Sequence, residues 1–489
     1  MKKFFITLFF IINLLFLNAQ GFLPLNREYN KGFEKIVYSG NSYFHSSVQP
    51  FNISEIEQIT NYDSIKNLNK IYKKNVPNKT WKQKAWDKFL NDDVVTLYRK
   101  NFSVIVNPLM NFSVGKDVGN KNTWCNTRGI EMKGRVGKNV TYYTNFYENQ
   151  AVFSDYIDSS IRRNRVVPGQ GLTRSFADGT GFDFAAATGY LSLQSGKYFN
   201  FQLGHGKNFL GDGYRSLLLS DVSFNNFYFK ATLNVWHIKY QVLYNQYIDI
   251  RENIPDYGYA RKYSTVHYLS WAISKRVNIS FFDAVIWKNT DSTGRYRGFD
   301  VQYLNPIIFM RPVEFSIGSP DNALMGLNLS IVVGAHNVFY GQVALDEFTL
   351  HEVLAGTGYW ANKQAFQLGF KSYDIFKIKN LYFQTEFNYV PPYTYSERES
   401  IMNYGHYNQP LAHPFGANFW ETVNFIRYNY RRFYFNYEFL YSVYGEDPAG
   451  KNYGKDIYKS YNTRVSDYGN FVGQGIKTNL LYNKLRFHF

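Results

Sequence analysis

The segment Lys484–Phe489 reads Lys-Leu-Arg-Phe-His-Phe, so polar and apolar side chains alternate up to an aromatic at position 489. Successive side chains of a β-strand point to opposite faces, which places Leu485, Phe487 and Phe489 together on one face and the basic residues on the other. The closing strand of an outer-membrane barrel presents such an apolar face to lipid and a polar face to the lumen. This segment therefore predicts a membrane-spanning β-strand.

The same period of two recurs along the chain from residue 101 onward. Short alternating stretches rich in β-branched and aromatic residues occur at 102–107, 130–136, 277–281, 381–387 and 433–439. One spanning strand and its turn need somewhat more than ten residues, so the stretch 99–489 accommodates roughly 14 to 18 strands. The sequence predicts an all-β transmembrane barrel of about 14–18 antiparallel strands over residues 99–489.

The composition favours this fold over a soluble one. The chain contains 44 Phe and 43 Tyr, and aromatics make up 19% of it, while the mean hydropathy is −0.37. Aromatic girdles at two membrane interfaces around a polar lumen need such a composition. The alternative is a large soluble β-sandwich or barrel, and those folds lack this aromatic load.

Residues 1–19 have the pattern of a secretory signal peptide. Two lysines precede an apolar run, and Ala19 ends a small-residue cleavage site. The single cysteine, Cys125, is far from that site, which argues against a lipoprotein and against a disulfide framework. We therefore expect export through a cleaved signal peptide to the outer membrane of a Gram-negative bacterium.

Two segments precede the predicted barrel. We interpret residues 20–50 as an extended N-terminal segment and residues 51–98 as a periplasmic helical segment. Apolar residues recur at helical spacing in the second segment, and Ser54 with Glu57 has the pattern of a capping box. Its helices are too short to span a membrane, so we expect them to pack at the periplasmic mouth or inside the barrel.

The net charge is +16 over the full chain and +14 without the two lysines of the signal peptide. These cations are spread along the chain instead of forming a block, which argues against a nucleic-acid surface. On loops and rims they meet either the headgroups of outer-membrane lipid, or acidic glycans, or plain solvent. The sequence leaves these three possibilities open.

The glycine-containing segment 204–220 has Leu-Gly-Asp-Gly at 210–213. Other distinctive stretches are 304–306 with 319–326, 340–342 with 346–348, and 409–418. Together these stretches resemble the Wzi-like capsule-assembly family of outer-membrane barrels, in which Trp-Gly-Pro-Gly is the usual form at 210–213. The stretch 409–418 is similar to the version found in Bacteroidota members, some of which are linked to gliding motility and its secretion apparatus.

The resemblance implies a barrel of about 18 strands with a plugged lumen and a periplasmic helical bundle. It also implies a protein that binds or organises surface or capsular polysaccharide and performs no chemistry. The alternative is a structural accessory of the gliding or secretion machinery that acts through protein contacts. A diffusive porin or an enzyme is a third possibility. The strand pattern itself indicates the barrel, and the polysaccharide comes from the resemblance alone.

No motif predicts a catalytic, cofactor or metal site. The glycines of 204–213 lack the strand–helix context and the Gly-Lys-Ser/Thr ending of a phosphate-binding loop. The nine histidines form no His-Glu-x-x-His pattern, and no Gly-x-Ser-x-Gly is present. We expect a protein that is not an enzyme, although convergence of distant residues in the fold stays open from sequence alone.

Four polar residues form a candidate lumen cluster: Asp321, Asn322, Asp346 and Glu347. Their oxygens suit a calcium ion, but their spacing matches no EF-hand loop. Pairing with arginine or lysine in the lumen is the simpler interpretation, and it would fix an inward loop against the wall.

The irregular stretch 390–420 is the main candidate for function. Its candidate residues combine rings, amides and imidazoles: Tyr393, Tyr395, Tyr404, His406, Tyr407, Asn408 and His413. Exposed groups of this kind recognise sugars, whereas buried ones would build a rigid plug, and both interpretations are kept. A shorter stretch, 249–261, is interpreted as an extracellular loop.

Overall fold

The computed structural model describes residues 21–61, 80–254, 258–290, 294–318, 321–431 and 433–488. Within this part, 18 strands form a closed antiparallel barrel, which confirms the predicted fold class and strand number. The predicted signal peptide and Phe489 lie outside the described residues. So do residues 62–79 of the helical segment and residues 319–320.

Sixteen long strands and two short ones, β2 (Val95–Tyr98) and β6 (Thr173–Ser175), make up the barrel wall. The long strands are β3 (Phe102–Lys116), β4 (Asn122–Val136), β5 (Val140–Val152), β7 (Phe182–Ser195), β8 (Phe199–Gly206), β10 (Asn226–Val235), β11 (Ile238–Ile254), β12 (Gly258–Ser274), β13 (Val277–Lys288), β14 (Asn322–Val333), β15 (Asn337–Leu345), β16 (Gln364–Tyr373), β17 (Leu381–Val390), β20 (Phe419–Tyr430), β21 (Phe433–Glu446) and β22 (Ile476–His488).

Six shorter strands complete the set. β2 (Val95–Tyr98) pairs with β3, and β6 (Thr173–Ser175) pairs with β7. The other four lie off the wall and form two small sheets: β1 (Val48–Gln49) with β9 (Phe209–Leu210), and β18 (Gly405–His406) with β19 (Gln409–Pro410).

The predicted loop at 249–261 is wrong for most of its length. Asp249 pairs with Ala260 across the β11–β12 hairpin, so the flanking residues continue the two strands. The polar residues that suggested a loop include Arg251, whose side chain is held by Asp249. A polar lumen permits charged residues on the inner face of a strand, which hides the strand pattern.

The two faces of the wall differ as predicted from the C-terminal alternation. On β22, Leu485 and Phe487 are 54% and 73% exposed, on the side that faces lipid. Arg486 points the other way and pairs with Glu28 of the N-terminal segment at 3.3 Å. The predicted inside–outside pattern is therefore confirmed for the residues that the structure describes.

The two ends of the barrel differ in the length of their connections. One end carries eight short turns: 99–101, 137–139, 196–198, 236–237, 275–276, 334–336, 374–380 and 431–432. The opposite end carries six long loops: 153–181, 207–225, 289–321, 346–363, 391–418 and 447–475. Outer-membrane barrels have short periplasmic turns and longer extracellular loops, so the turn end faces the periplasm and the loop end faces outward.

The N-terminal segment contains a helix that the sequence analysis missed. Residues 20–50 were predicted to be extended, but α1 spans Arg27–Val37, and the side chain of Asn26 accepts a hydrogen bond from its first turn. Phe33 and Val37, one turn apart, face the core. Tyr29, Phe33, Ile36 and Val37 recur at helical spacing, so this helix does leave a signal in the sequence, but one that spans only 11 residues.

The predicted helical segment 51–98 contains α2 (Ile53–Ile59) and α3 (Trp81–Asn91). Asn52 caps α2 in place of the predicted Ser54, and a capping box begins α3 at Thr80. Among the described residues, three further α-helices lie in the long loops: α4 (Asp155–Asn164), α5 (Arg311–Ile317) and α6 (Leu350–Ala355). None of the described helices has the length and apolarity needed to cross a membrane.

Three segments fill the lumen and together form the plug: residues 21–59, 207–225 and 391–418. Phe33 and Ile56 of the first segment pack against wall residues such as Val423. The other two segments meet in a second apolar cluster, which contains Leu218 and Tyr404. The lumen is therefore plugged, as the resemblance implied.

Candidate functional site

The glycine-containing segment is bound to two glutamates of the wall. Glu386 accepts hydrogen bonds from the backbone N–H groups of Tyr214 at 2.6 Å and Arg215 at 3.0 Å. Glu421 accepts a further one from Arg215 Nε at 3.2 Å. A Cβ at Gly213 would lie 2.6 Å from Glu386 Oε2, so glycine permits this close approach. The glycines serve packing inside the barrel.

A third carboxylate ties two parts of the plug to the wall. Asp212 accepts hydrogen bonds from Tyr38 Oη at 3.0 Å and from Ser46 Oγ at 2.6 Å, both in the N-terminal segment. The wall residue Asn328 donates to the same carboxylate at 2.8 Å. All four groups are buried, which makes each of these hydrogen bonds costly to break.

Two buried histidines hold the segment 391–418. His413 donates from Nε2 to Glu421 at 2.5 Å, and its Nδ1 accepts from the backbone of Phe415 at 3.2 Å. His406 accepts from the backbone of Ile248 at 2.9 Å. Burial lowers the pKa of His413 to about 4 and that of His406 to about 3, so both rings are neutral at pH 7.

The predicted residues of 390–420 mostly build the plug. Tyr395 donates its hydroxyl to the carbonyl of Leu217 at 2.7 Å, and Tyr404 donates to that of Leu218 at 2.6 Å. Both tyrosines are fully buried. The same holds for Tyr393, His406 and His413, whereas Tyr407 and Asn408 are half-buried. Five of the seven therefore present no open ring face to a sugar.

The four residues of the predicted polar cluster do not meet in one group. Asp321 forms an ion pair with Arg297 at 2.9 Å, and Asn322 donates a hydrogen bond to the carbonyl of Met402 at 2.8 Å. Asp346 and Glu347 both form ion pairs with Lys363. Among the described residues, no group of His, Cys, Asp and Glu side chains is arranged to hold a metal ion.

Lys363 is the centre of the second charged group. Its Nζ lies 3.5 Å from Asp346 and 3.3 Å from Glu347, and it also donates to the carbonyl of Ser396 at 3.1 Å. Burial raises the pKa of Asp346 to about 7, against the effect of the lysine. This group links the loop 346–363 to the plug segment 391–418.

The structure also reveals a site that the sequence analysis missed, built by loops 346–363 and 447–475. The backbones of these loops are joined by hydrogen bonds from Trp360 N to Asp467 O, from Gly469 N to Thr357 O and from Asn470 N to Gly358 O, each at 2.9 Å. Such pairing fixes two surface loops that would otherwise be mobile.

Four aromatic residues of these loops form what we call the ring platform: Tyr359, Trp360, Tyr461 and Tyr468. The ring centroids of Tyr359 and Tyr468 are 5.3 Å apart, and those of Trp360 and Tyr461 are 4.6 Å apart. Tyr468 is 51% exposed and Trp360 is almost buried. The guanidinium of Arg464 lies 4.3 Å from the Trp360 ring centroid. The buried plug residue Tyr393 packs beneath the platform.

The plug leaves a cavity of about 680 Å³ beside the wall strands β4, β5, β7, β8 and β10. Its lining is rich in tyrosine, and the rings of Tyr143 and Tyr190 stack there at 5.7 Å. Glu131 and Lys133 pair in the lining at 2.8 Å. The first residues of the N-terminal segment form the opposite side of this cavity.

No protein-family model and no curated protein matches this chain. Among solved structures, the chain is similar to Wzi of Escherichia coli, an outer-membrane protein involved in group 1 capsule assembly and described as a carbohydrate-binding β-barrel. The TM-score is 0.53 at 11% identity, over 95% of this chain and 96% of Wzi. OprD of Pseudomonas aeruginosa follows with a TM-score of 0.41 at 10% identity, over 80% and 85% of the two chains. This protein therefore has a Wzi-like fold, that of an outer-membrane β-barrel.

Proposed function

We propose that this protein is a non-enzymatic outer-membrane barrel that binds polysaccharide at the cell surface through the ring platform. The proposal includes export through a cleaved signal peptide. The observation that carries it is the ring pair of exposed Tyr468 and half-buried Tyr359, held on two interlocked loops at the loop end.

Sugar recognition needs ring faces that cover C–H groups and polar groups that bond hydroxyls. Tyr359 and Tyr468 supply rings with hydroxyl tips, and Arg464 and Asn470 lie beside them on the same loops. Because the loops are already fixed to each other, little conformational entropy is lost when a sugar binds.

Two further observations support a binding role. Wzi, which shares the fold, is described as a carbohydrate-binding barrel. In addition, the buried carboxylate of Glu386 and the imidazole of His413 have structural partners inside the plug. Their chemistry serves to hold the plug, which supports a protein without catalysis.

This proposal is tested by measuring how surface polysaccharide, purified from the bacterium that makes this protein, binds to the detergent-solubilised barrel. The double variant Tyr359→Ala with Tyr468→Ala should weaken binding by about tenfold or more, as expected for aromatic anchors of a binding surface. Tyr156→Ala removes another exposed loop-end tyrosine and should leave binding unchanged. Equal binding by native protein and double variant contradicts the proposal.

A deletion strain separates this function from the alternative accessory role in gliding or secretion. Loss of capsule retention with normal spreading supports polysaccharide binding. An intact capsule with defective spreading contradicts it and favours the accessory role.

Planar bilayers test the porin alternative. A plugged lumen should give no large steady conductance, whereas a porin-sized current would show that the plug leaves the barrel.

A further inference from the structure

The short turns at the turn end are rich in exposed cations. In the described part of these turns, nine exposed lysines and arginines form what we call the basic ring: Arg99, Lys100, Lys138, Lys197, Lys275, Arg276, Lys377, Lys379 and Arg431. Each turn joins neighbouring strands of a closed barrel, so these residues are distributed around its circumference.

Acidic residues do not balance this ring. In the described residues of the eight turns, Asp374 is the single carboxylate, and it pairs with Lys35 of the plug at 2.6 Å. Asp92 and Asp93 add two carboxylates before β2. The loop end is different, since loop 346–363 carries three acids and one lysine.

Exposed aromatic residues lie at the same level as the basic ring: Tyr98, Tyr198, Trp236, Phe376 and Tyr430. Lys197 Nζ is 5.6 Å from the Tyr198 ring centroid, and the guanidinium of Arg431 is 5.4 Å from that of Tyr430. Aromatic belts mark the interface between hydrocarbon and headgroups. The cations beside these rings are therefore at the height of lipid phosphates.

We propose that the basic ring binds the headgroups of anionic phospholipids in the periplasmic leaflet. Lysine and arginine near a membrane surface attract anionic lipid, by about fivefold for each engaged cation. A ring of single cations around the whole barrel fits an annulus of lipids, whereas an acidic protein partner would need one contiguous patch.

The experiment measures which lipids remain on the purified barrel after release from nanodiscs of equal phosphatidylglycerol and phosphatidylcholine, by native mass spectrometry. The test variant combines Lys275→Gln, Arg276→Gln, Lys377→Gln and Lys379→Gln. The control variant removes four exposed loop-end cations: Arg163→Gln, Arg174→Gln, Arg398→Gln and Lys451→Gln. The net charge changes equally in both variants.

The native protein and the loop-end control should retain phosphatidylglycerol about fivefold or more over phosphatidylcholine, and the test variant should lose most of this preference. Salt at 1 M, where the Debye length is about 3 Å, should reduce the preference of the native protein. Equal retention of the two lipids by native protein, or equal loss in both variants, overturns the proposal. The proposal is also overturned if the native protein shows no lipid preference and instead binds an acidic periplasmic protein through the same turns.

Discussion

The loop end and the turn end of this barrel are built on opposite principles. At the loop end, long segments return into the lumen and are fixed by buried groups such as Glu386 and Asp212. At the turn end, the connections are short and their side chains are exposed cations and aromatics. Buried polar contacts hold one arrangement, which suits recognition of a specific ligand. Exposed charges suit contact with a fluid surface such as lipid.

Removing the buried Glu421 carboxylate, which binds two plug residues, should have the largest effect on stability. Glu421→Ala leaves the Arg215 guanidinium buried without its partner and removes the acceptor of His413, so the free energy of unfolding should fall by about 3–5 kcal/mol. Thermal unfolding in detergent measures this.

The matched control is Glu399→Ala, because Glu399 pairs with Lys288 in a more exposed position. That substitution should cost about 1 kcal/mol or less. Equal effects of the two variants would show that the plug does not depend on its buried charges.

Adding a methyl group at Gly213, where the plug backbone lies close to Glu386, should have an intermediate effect on stability. At Gly213 an added methyl group meets Glu386, so Gly213→Ala should lower the free energy of unfolding by about 1–3 kcal/mol. At Gly119, in the β3–β4 loop, a Cβ meets nothing within 4 Å. Gly119→Ala should leave the unfolding midpoint unchanged, and a similar loss in both variants would contradict the packing described for Gly213.

Acid should destabilise the protein through the buried plug residue His413. The folded-state pKa of His413 is about 4, below the value of about 6.5 expected in the unfolded chain. The unfolded state therefore binds the proton first as the pH falls, and stability decreases between about pH 6.5 and 4.

Because of this histidine, the free energy of unfolding should fall by about 1–2 kcal/mol between pH 7 and pH 5. Unfolding midpoints of native protein and His413→Gln, measured across this range, check the expectation. The pH slope of the variant should be shallower, and parallel curves would show that His413 already titrates normally in the folded state.

Substitutions in the basic ring should have the smallest effect on stability. Lys100→Gln changes an exposed turn residue, so the free energy of unfolding in detergent should stay within about 0.5 kcal/mol. A larger loss would mean that the turn end, like the loop end, depends on specific contacts.

The sequence predicted the wall well and the plug poorly, for a physical reason. Strands that face lipid on one side keep a period of two, as at 484–489, and that local signal needs no knowledge of the fold. Helix α1 keeps helical spacing over only 11 residues, and the buried Tyr395 lies in an irregular segment of the filled lumen, where no periodic pattern is required.

The ring platform shows most clearly what the sequence alone could not predict. Its two halves, Tyr359–Trp360 and Tyr461–Tyr468, come from loops about a hundred residues apart and meet only through tertiary pairing. By contrast, the rings and imidazoles of stretch 390–420 predict a functional site, but most of these side chains are buried in the structure. Aromatic composition locates residues of interest but does not distinguish a plug from a surface.

Hydrogen–deuterium exchange with and without the host's surface polysaccharide tests the central claim most directly, since it reports where a ligand rests. We expect added protection in loops 346–363 and 447–475 and unchanged exchange in the eight short turns. Protection confined to the cavity lining of β4 and β5, or no protection at the ring platform at saturating polysaccharide, would contradict the account.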